Sequence, residues 1–350
     1  VWIPGVDKVV HASEVYFDET YFPWRPAEDR RLGAPIAVPA ETDPDATALR
    51  DAAGDADLPP AAELGATGLA EAYDNATRGP VGVARRSSKV LVIFSGPQSR
   101  PDGLSVFLAR AGLECVMFDN DPASGGDARQ DLLNDSVYKA LLARVQSGEF
   151  LAIIAAPPCS TFSIARFFKP RDGNRGAPVL RTRAHILGIP GLDSSKDVEV
   201  RSANTLLFRT VALLAAGYAV GTQYILENPA DRGVPADRDL FIDERHGPIW
   251  RVPEVIGLKR ATSASTCTFP MCAFGSPWQK FTTLLHSAGF DSWLAPLAGI
   301  RCPHHRHDAP AGGEVDANGV WVSREAAAYP ANLNLYLARA IASLKSGASA

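Results

Sequence analysis

The heptapeptide Pro157-Pro158-Cys159-Ser160-Thr161-Phe162-Ser163 holds the thiol best placed for chemistry. The apolar run Phe150-Leu151-Ala152-Ile153-Ile154-Ala155-Ala156 leads straight into it. A short run closed by a Pro-Pro break reads as a buried parallel strand. Such a strand delivers Cys159 to its carboxyl end, where open α/β sheets place their ligands. Two prolines fix the backbone ahead of the sulfur, and a thiol held there is a candidate nucleophile. The competing reading is a buried structural cysteine, the usual fate of a free thiol.

A second strand-like run, Gln223-Tyr224-Ile225-Leu226, ends in Glu227-Asn228-Pro229. It sets a carboxylic acid at another strand end, where the acid can supply a proton or a hydrogen bond. Upstream, Val90-Leu91-Val92-Ile93-Phe94 reads as a strand, the stretch from Ser95 to Gly103 as a loop, and Leu104 to Ala111 as a helix. Glu114-Cys115-Val116-Met117-Phe118 is the next strand, closed by Asp119-Asn120-Asp121. Strand, Gly-containing loop, helix, strand and acid is the layout of a nucleotide or nucleoside site. Phe94-Ser95-Gly96 is not G-x-G-x-x-G, which argues against a pyrophosphate cradle. Asp119 offers two carboxylate oxygens to two ribose hydroxyls, and Asp131 or Leu132, read as the next strand end, would meet an adenine. A plain turn is the alternative for Asp119, since Asp-Asn-Asp-Pro is good turn sequence.

The elements that must position these residues alternate. A helix from about Ser136 to Gln146 precedes the Cys159 strand, and a helix from Val200 to Ala216 precedes the Glu227 strand. Alternation of strand and helix predicts an α/β fold with a doubly wound, mostly parallel sheet. The 350 residues suffice for about two domains, or one large α/β domain with attachments. Residues 1–25 read as short strands joined by turns, too small to bury a core alone. Residues 26–86, rich in Ala, Pro, Asp and Gly, read as a disordered linker with one short helix near Pro60 to Tyr73.

Net charge of -4 argues against a broadly basic nucleic-acid coat while leaving room for a local basic groove. Five cysteines, an odd number without regular spacing, do not form a disulfide framework. They predict a reducing compartment, nucleus or cytoplasm. No apolar run approaches the roughly 20 residues that span a bilayer, so no membrane partner is expected. The first residues are not a signal peptide, and the missing initiator methionine predicts a piece of a longer chain.

Taken in order, the motifs resemble those of the cytosine-5 DNA methyltransferases. That family has a Phe-x-Gly loop after its first strand, here Phe94-Ser95-Gly96. It has an acid after the second strand, here Asp119, and Asp-Leu after the third, here Asp131-Leu132. It has Pro-Cys followed by Phe-Ser, here Pro158-Cys159 and Phe162-Ser163, and Glu-Asn after a further strand, here Glu227-Asn228. Tyr329-Pro330 and the helix after it look like the terminal helix that returns to the cofactor side. The match covers residues 87–346, with 260–328 as a small irregular recognition region and 329–346 as the closing helix. The variant most similar is the divergent type carried by retroelements. Residues 1–25, with Phe17-Asp18-Glu19, resemble the end of a copia-type integrase, which points to a polyprotein.

The resemblance implies the sheet of the S-adenosylmethionine-dependent methyltransferases, a Rossmann-like type. It implies S-adenosyl-L-methionine as cofactor, held by Phe94, Ser95, Gly96, Asp119, Asp131, Leu132 and Pro157. Cys159 would be the thiolate that adds to cytosine carbon 6, and Glu227 would activate nitrogen 3. Asn228 would shape the turn, and the base would have to leave the duplex. DNA is the implied partner, with RNA as an alternative substrate on the same fold. A catalytically silent nucleic-acid-binding module is the reading from another class.

Ser160 stands where the family often has Gln, and Pro229 ends the Glu-Asn-Val triplet. No Gln-x-Arg-x-Arg segment is present; Thr268 to Gly275, followed by Lys280 and Thr282, occupies that region and leaves an orienting arginine unassigned. Ser163, Arg166, Lys169, Arg171 and Arg175, with Arg181 and Arg183 beyond, form a basic run beside the thiol that could grip phosphates, as could Lys280. The alternative is a solvated surface loop. Cys267, Cys272, Cys302, His304 and His307 are metal-type ligands, and Cys302-Pro303-His304 with His307 suggests zinc. The spacing favours scattered core cysteines beside a polar His-rich loop over that zinc site.

Overall fold

The computed structural model describes residues 2–3, 8–9, 73–77, 87–167, 177–234, 242–278, 280–302, 304, 307 and 326–346. Most of the expected integrase-like piece, nearly all of the expected linker, and Lys169, Arg171 and Arg175 lie outside those residues. Strands β1 (Trp2–Ile3) and β2 (Lys8–Val9) pair antiparallel. Residues 73–77 are helical, at the end of the expected short helix.

The main sheet has six strands: β3 (Lys89–Ile93), β4 (Glu114–Phe118), β5 (Ala152–Ala155), β6 (Gln223–Pro229), β7 (Ser265–Pro270) and β8 (Phe281–His286). Their order is β4-β3-β5-β6-β8-β7. The first four run parallel, and β8 is antiparallel to both its neighbours. The mixed, mostly parallel sheet is compatible with a Rossmann-like α/β fold. In β3 and β5 every residue but Lys89 is buried, as expected of strands covered on both faces.

Alternation sorts side chains into two layers. Leu91, Ile93, Tyr224 and Leu226 face α2 (Asp135–Gln146), α3 (Ser194–Ala219) and α4 (Pro253–Ala261). Val90, Val92 and Ile225 face α1 (Leu104–Arg110), α5 (Asp291–Leu294) and α6 (Ala331–Ser346). Central α3 is buried almost all round, so it presses close to the sheet. A Cβ at Gly217 would sit 2.9 Å from Ile153 Cδ1 and 3.2 Å from Val145 Cγ1, which is why glycine stands there.

Three expectations are corrected. No strand ends at Asp131-Leu132; a 3-10 turn, Ala128–Gln130, runs into the cap of α2, and Leu132 drops into the core. Helix α3 starts at Ser194 because the Asp193 carboxylate accepts the Lys196 N–H at 2.9 Å. Residues 265–286 are not irregular: β7 and β8 complete the sheet. Small polar residues hid β7, where Cys267 and Phe269 point inward and Thr266 and Thr268 outward. Among the described residues no helix is long and apolar enough to cross a membrane.

The loop after β5 is clamped onto α3 by two buried arginines. Arg166 donates to Ser160 O (2.6 Å), Pro178 O (3.1 Å) and Glu199 Oε1 (2.6 Å). Arg181 donates to Thr161 Oγ1 (3.0 Å), Ile186 O (2.9 Å), Asn204 Oδ1 (2.7 Å) and Val200 O (3.1 Å). Its guanidinium lies 3.8 Å from the Phe162 ring centroid. Burial, with the Arg166 charge beside it, pushes Arg181 down to about 9, still a cation at neutral pH. Arg166 is therefore a buried fastening of the Cys159 loop, not the exposed phosphate contact that its place in a charge run suggested.

Glu199→Gln removes the buried charge that Arg166 and Lys196 share and should cost about 3 kcal/mol. The urea midpoint falls with an unchanged slope, whereas Asp127→Asn, at the exposed Arg129 pair, leaves the midpoint in place. An unchanged midpoint for Glu199→Gln would contradict the clamp.

Candidate functional site

Strand β5 stops because prolines 157 and 158 have no N–H to continue the ladder. Cys159 follows with helical dihedrals, at the head of the 3-10 turn Ser160–Phe162. Its carbonyl accepts the Phe162 N–H at 2.9 Å. The thiol is half-buried and is not in a disulfide.

Neighbouring β6 ends in Glu227 and Asn228, both buried. Asn228 Nδ2 donates to Pro157 O at 2.9 Å, so one amide locks the two strand ends together. Asn228 is thus a positioning residue. The Thr282 hydroxyl, from β8, donates to Glu227 Oε1 and lies 3.2 Å from Asn228 O.

Tyr329 joins them from the other end of the chain. The residue is half-buried, but its hydroxyl is sealed from solvent and has no hydrogen-bond partner among the described residues. Burial, then the Glu227 carboxylate, then Cys159 hold its proton on well above the usual tyrosine range. Tyr329 O accepts from Arg100 Nη2 and Asn334 Nδ2, both at 3.3 Å, which ties the segment to the loop before α1 and to α6. Cys159, Glu227 and Tyr329 therefore share one neighbourhood at the carboxyl edge. The sequence reading used Tyr329 only as the start of the closing helix.

His246 has no sequence motif around it, yet it fastens the same loop. Its Nδ1 accepts the Arg232 N–H at 3.0 Å, so the proton sits on Nε2, which donates to Phe162 O at 2.8 Å. Nearby Asp231 takes Arg183 Nη2 at 2.7 Å, Gly233 N at 2.9 Å and Arg251 Nε at 3.3 Å. Burial alone would raise the Asp231 carboxyl; the His246 ring beside it, bonds from Gly233 and Arg251, and the Arg183 charge pull it down to about 2. Arg183, like Arg166 and Arg181, is committed within the fold. Ser163 Oγ accepts the Ala165 N–H at 3.1 Å, and half-buried Lys280 stands just before β8, its carbonyl accepting the Met271 N–H at 2.8 Å.

The expected cofactor residues gather at the ends of β3 and β4. Asp119 Oδ2 accepts the Gly96 N–H and Oδ1 the Asp121 N–H, each at 2.9 Å. Phe94 and Gly96 have φ of 58° and 62°, and a Cβ on Gly96 would meet nothing within 4 Å. Each carboxylate oxygen keeps a second acceptor site for a ribose hydroxyl. Asp131, half-buried, has its carboxyl raised by burial, with Oδ1 accepting the Leu133 N–H at 2.8 Å. These donors and acceptors fit a nucleoside. Leu132 and Pro157 do not line an open surface: both are buried, and Leu132 O takes Arg209 Nη1 at 2.6 Å.

A cavity of about 470 Å³ lies elsewhere, over β8 and β7, lined by Asp231, Trp250, Thr268, Phe281, Thr283 and Arg301. The Cys/His set divides. Cys267 faces the core, and burial pushes its thiol up to about 12. Cys272, Cys302, His304 and His307 come together.

The depressed Asp231 carboxyl contributes stability that is present above about pH 4 and lost as pH falls through about 2. Urea midpoints of wild type and Asp231→Asn should therefore differ most near neutrality and converge toward pH 2; a constant difference would contradict this. No protein-family model matches this chain, and no curated protein matches it.

Proposed function

We propose that this chain is an S-adenosylmethionine-dependent methyltransferase that methylates carbon 5 of cytosine in DNA. The observation that carries the reading is the meeting of Cys159 and Glu227 around Tyr329. A thiol and a carboxylic acid from adjacent strand ends are the pair that cytosine activation needs. The nucleoside-type arrangement around Asp119 supports the cofactor part, and the motif order supports the family. The integrase-like residues 1–25 support a place in a retroelement polyprotein.

The chemistry runs through the chain's own groups. The flipped base presents carbon 6 to Cys159. Its thiolate forms the C–S bond, and the carbon 5–carbon 6 π pair moves onto carbon 5. Thr282 occupies Glu227 Oε1, which leaves Oε2 to donate a proton or hydrogen bond to nitrogen 3. S-adenosyl-L-methionine, which Asp119 and Gly96 would hold, would supply an electrophilic methyl group to carbon 5, its S–CH3 bond pair staying on sulfur as the thioether leaves. Loss of the carbon 5 proton to a base and return of the C–S pair to sulfur regenerate the thiolate. Asn228, Arg166, Arg181 and His246 keep Cys159 in register; none of them touches the base.

A silent nucleic-acid-binding module is favoured by one observation. The Tyr329 hydroxyl is enclosed beside Glu227 and Cys159, and the 470 Å³ cavity opens away from them. Binding of a base therefore requires the Tyr329 segment to shift.

Wild-type protein incubated with S-adenosylmethionine and 5-fluorocytosine DNA should form a denaturant-stable adduct that Cys159→Ser abolishes. Robust methylation by Cys159→Ser would overturn the mechanism, and a parallel RNA substrate decides the nucleic acid. By calorimetry, Asp119→Ala should weaken cofactor binding about 10- to 100-fold, the loss expected for hydrogen bonds to a charged acceptor. Absence of cofactor binding by wild type would favour the silent module.

A further inference from the structure

We propose that Cys272, Cys302, His304 and His307 form a structural zinc site. Their ligand atoms all lie within 4.8 Å of one another. Cys302 Sγ is 3.4 Å from Cys272 Sγ, 3.2 Å from His307 Nε2 and 3.9 Å from His304 Nδ1. A tetrahedral zinc with ordinary bond lengths sets sulfur–sulfur separations of about 3.8 Å and sulfur–nitrogen separations of about 3.6 Å. The two sulfur–nitrogen distances fall on either side of the second value, and the sulfur–sulfur distance lies about 0.4 Å below the first. Hydrogen bonding does not explain the gathering, because thiols bond weakly.

The ligand chemistry selects the metal. Two thiolates and two imidazoles suit zinc and not the oxygen-seeking magnesium or calcium. Four protein ligands close the coordination sphere, which marks a structural site and not a catalytic one. Cys272 is buried and His304 exposed, so metal can enter from one side.

The sequence spacing obscured this site. Cys272 stands 30 residues before Cys302, on the 3-10 turn Met271–Phe274 between β7 and β8. The other three ligands follow the turn Ala295–Gly299. Sheet pairing brings Cys272 to them, while Cys267 on β7 belongs to the core. Beside Cys272, Phe274 packs against Phe269 and Tyr336, and the Tyr336 hydroxyl donates to Trp293 O at 2.5 Å. Zinc would thus staple Cys302, His304 and His307 to the same aromatic cluster that seats α6.

The test uses the full chain, expressed with added zinc and purified in reductant without chelator. Elemental analysis should find about one zinc per chain. Cys302→Ser and His307→Ala should carry almost none, while Cys267→Ser and Cys115→Ser keep theirs. Stripped wild type titrated with cobalt should show the intense visible bands of a tetrahedral thiolate site, which guards against variants that fail to fold. The proposal is overturned by zinc far below stoichiometry together with octahedral cobalt spectra. Zinc content unchanged in folded Cys302→Ser, or a Cys272–Cys302 disulfide persisting in reductant, would overturn it equally.

Discussion

Two guanidinium groups under the Cys159 loop set the geometry around them. Burying like charges side by side is unfavourable, and among the described residues Glu199 offsets it with a formal charge. Directed hydrogen bonds make up the difference. Arg166 spans the loop backbone and α3, and Arg181 reaches Thr161, Asn204 and two carbonyls with its face on Phe162. A packed apolar patch could hold the loop as strongly but not in one register. Each guanidinium fork accepts one arrangement of acceptors, so Ser160 and Thr161 are fixed, and Cys159 with them.

The other site residues are held by separate devices. Asn228 couples β6 to Pro157, and Thr282 reaches from the reversed strand β8 to Glu227. Tyr329 arrives through Arg100, Asn334 and the packing of α6 on α1. Three segments far apart in sequence meet only because the sheet order places β5, β6 and β8 side by side. Strands and helices give such a site more precision than loops alone.

How much of this was legible followed from burial. Strands β3, β4 and β5 are short apolar runs with clear ends, and their residues announce them. The acids and the thiol at those ends were legible for the same reason. β7 was not, since Thr266 and Thr268 on its outer face dilute the apolar signal. Arg166 and Arg181 looked like surface charge because a sequence shows charge but not what surrounds it. His246 and Thr282 act through partners that only the sheet supplies, and Cys272 needs the β7–β8 hairpin to meet Cys302.

The surroundings of Cys159 and of Asp119 are held by different kinds of contact. Around Cys159 the loop is bound through buried side chains to α3 and β6. Around Asp119 the contacts are mainly backbone to backbone or carboxylate to backbone, with Gln98 N–H on Ser124 O at 2.9 Å. Gly126 lets that turn close: a Cβ there would lie 1.8 Å from Asp119 O. Asp119 holds the Gly96 loop by a single N–H and keeps a second acceptor site on that oxygen for a ligand's hydroxyl. A ligand entering there has to shift only a loop held by single backbone bonds, whereas moving the Cys159 loop would break the hydrogen bonds of buried arginines. Binding is therefore expected to reshape the Phe94 to Gly103 loop and to leave the thiol where the arginines hold it.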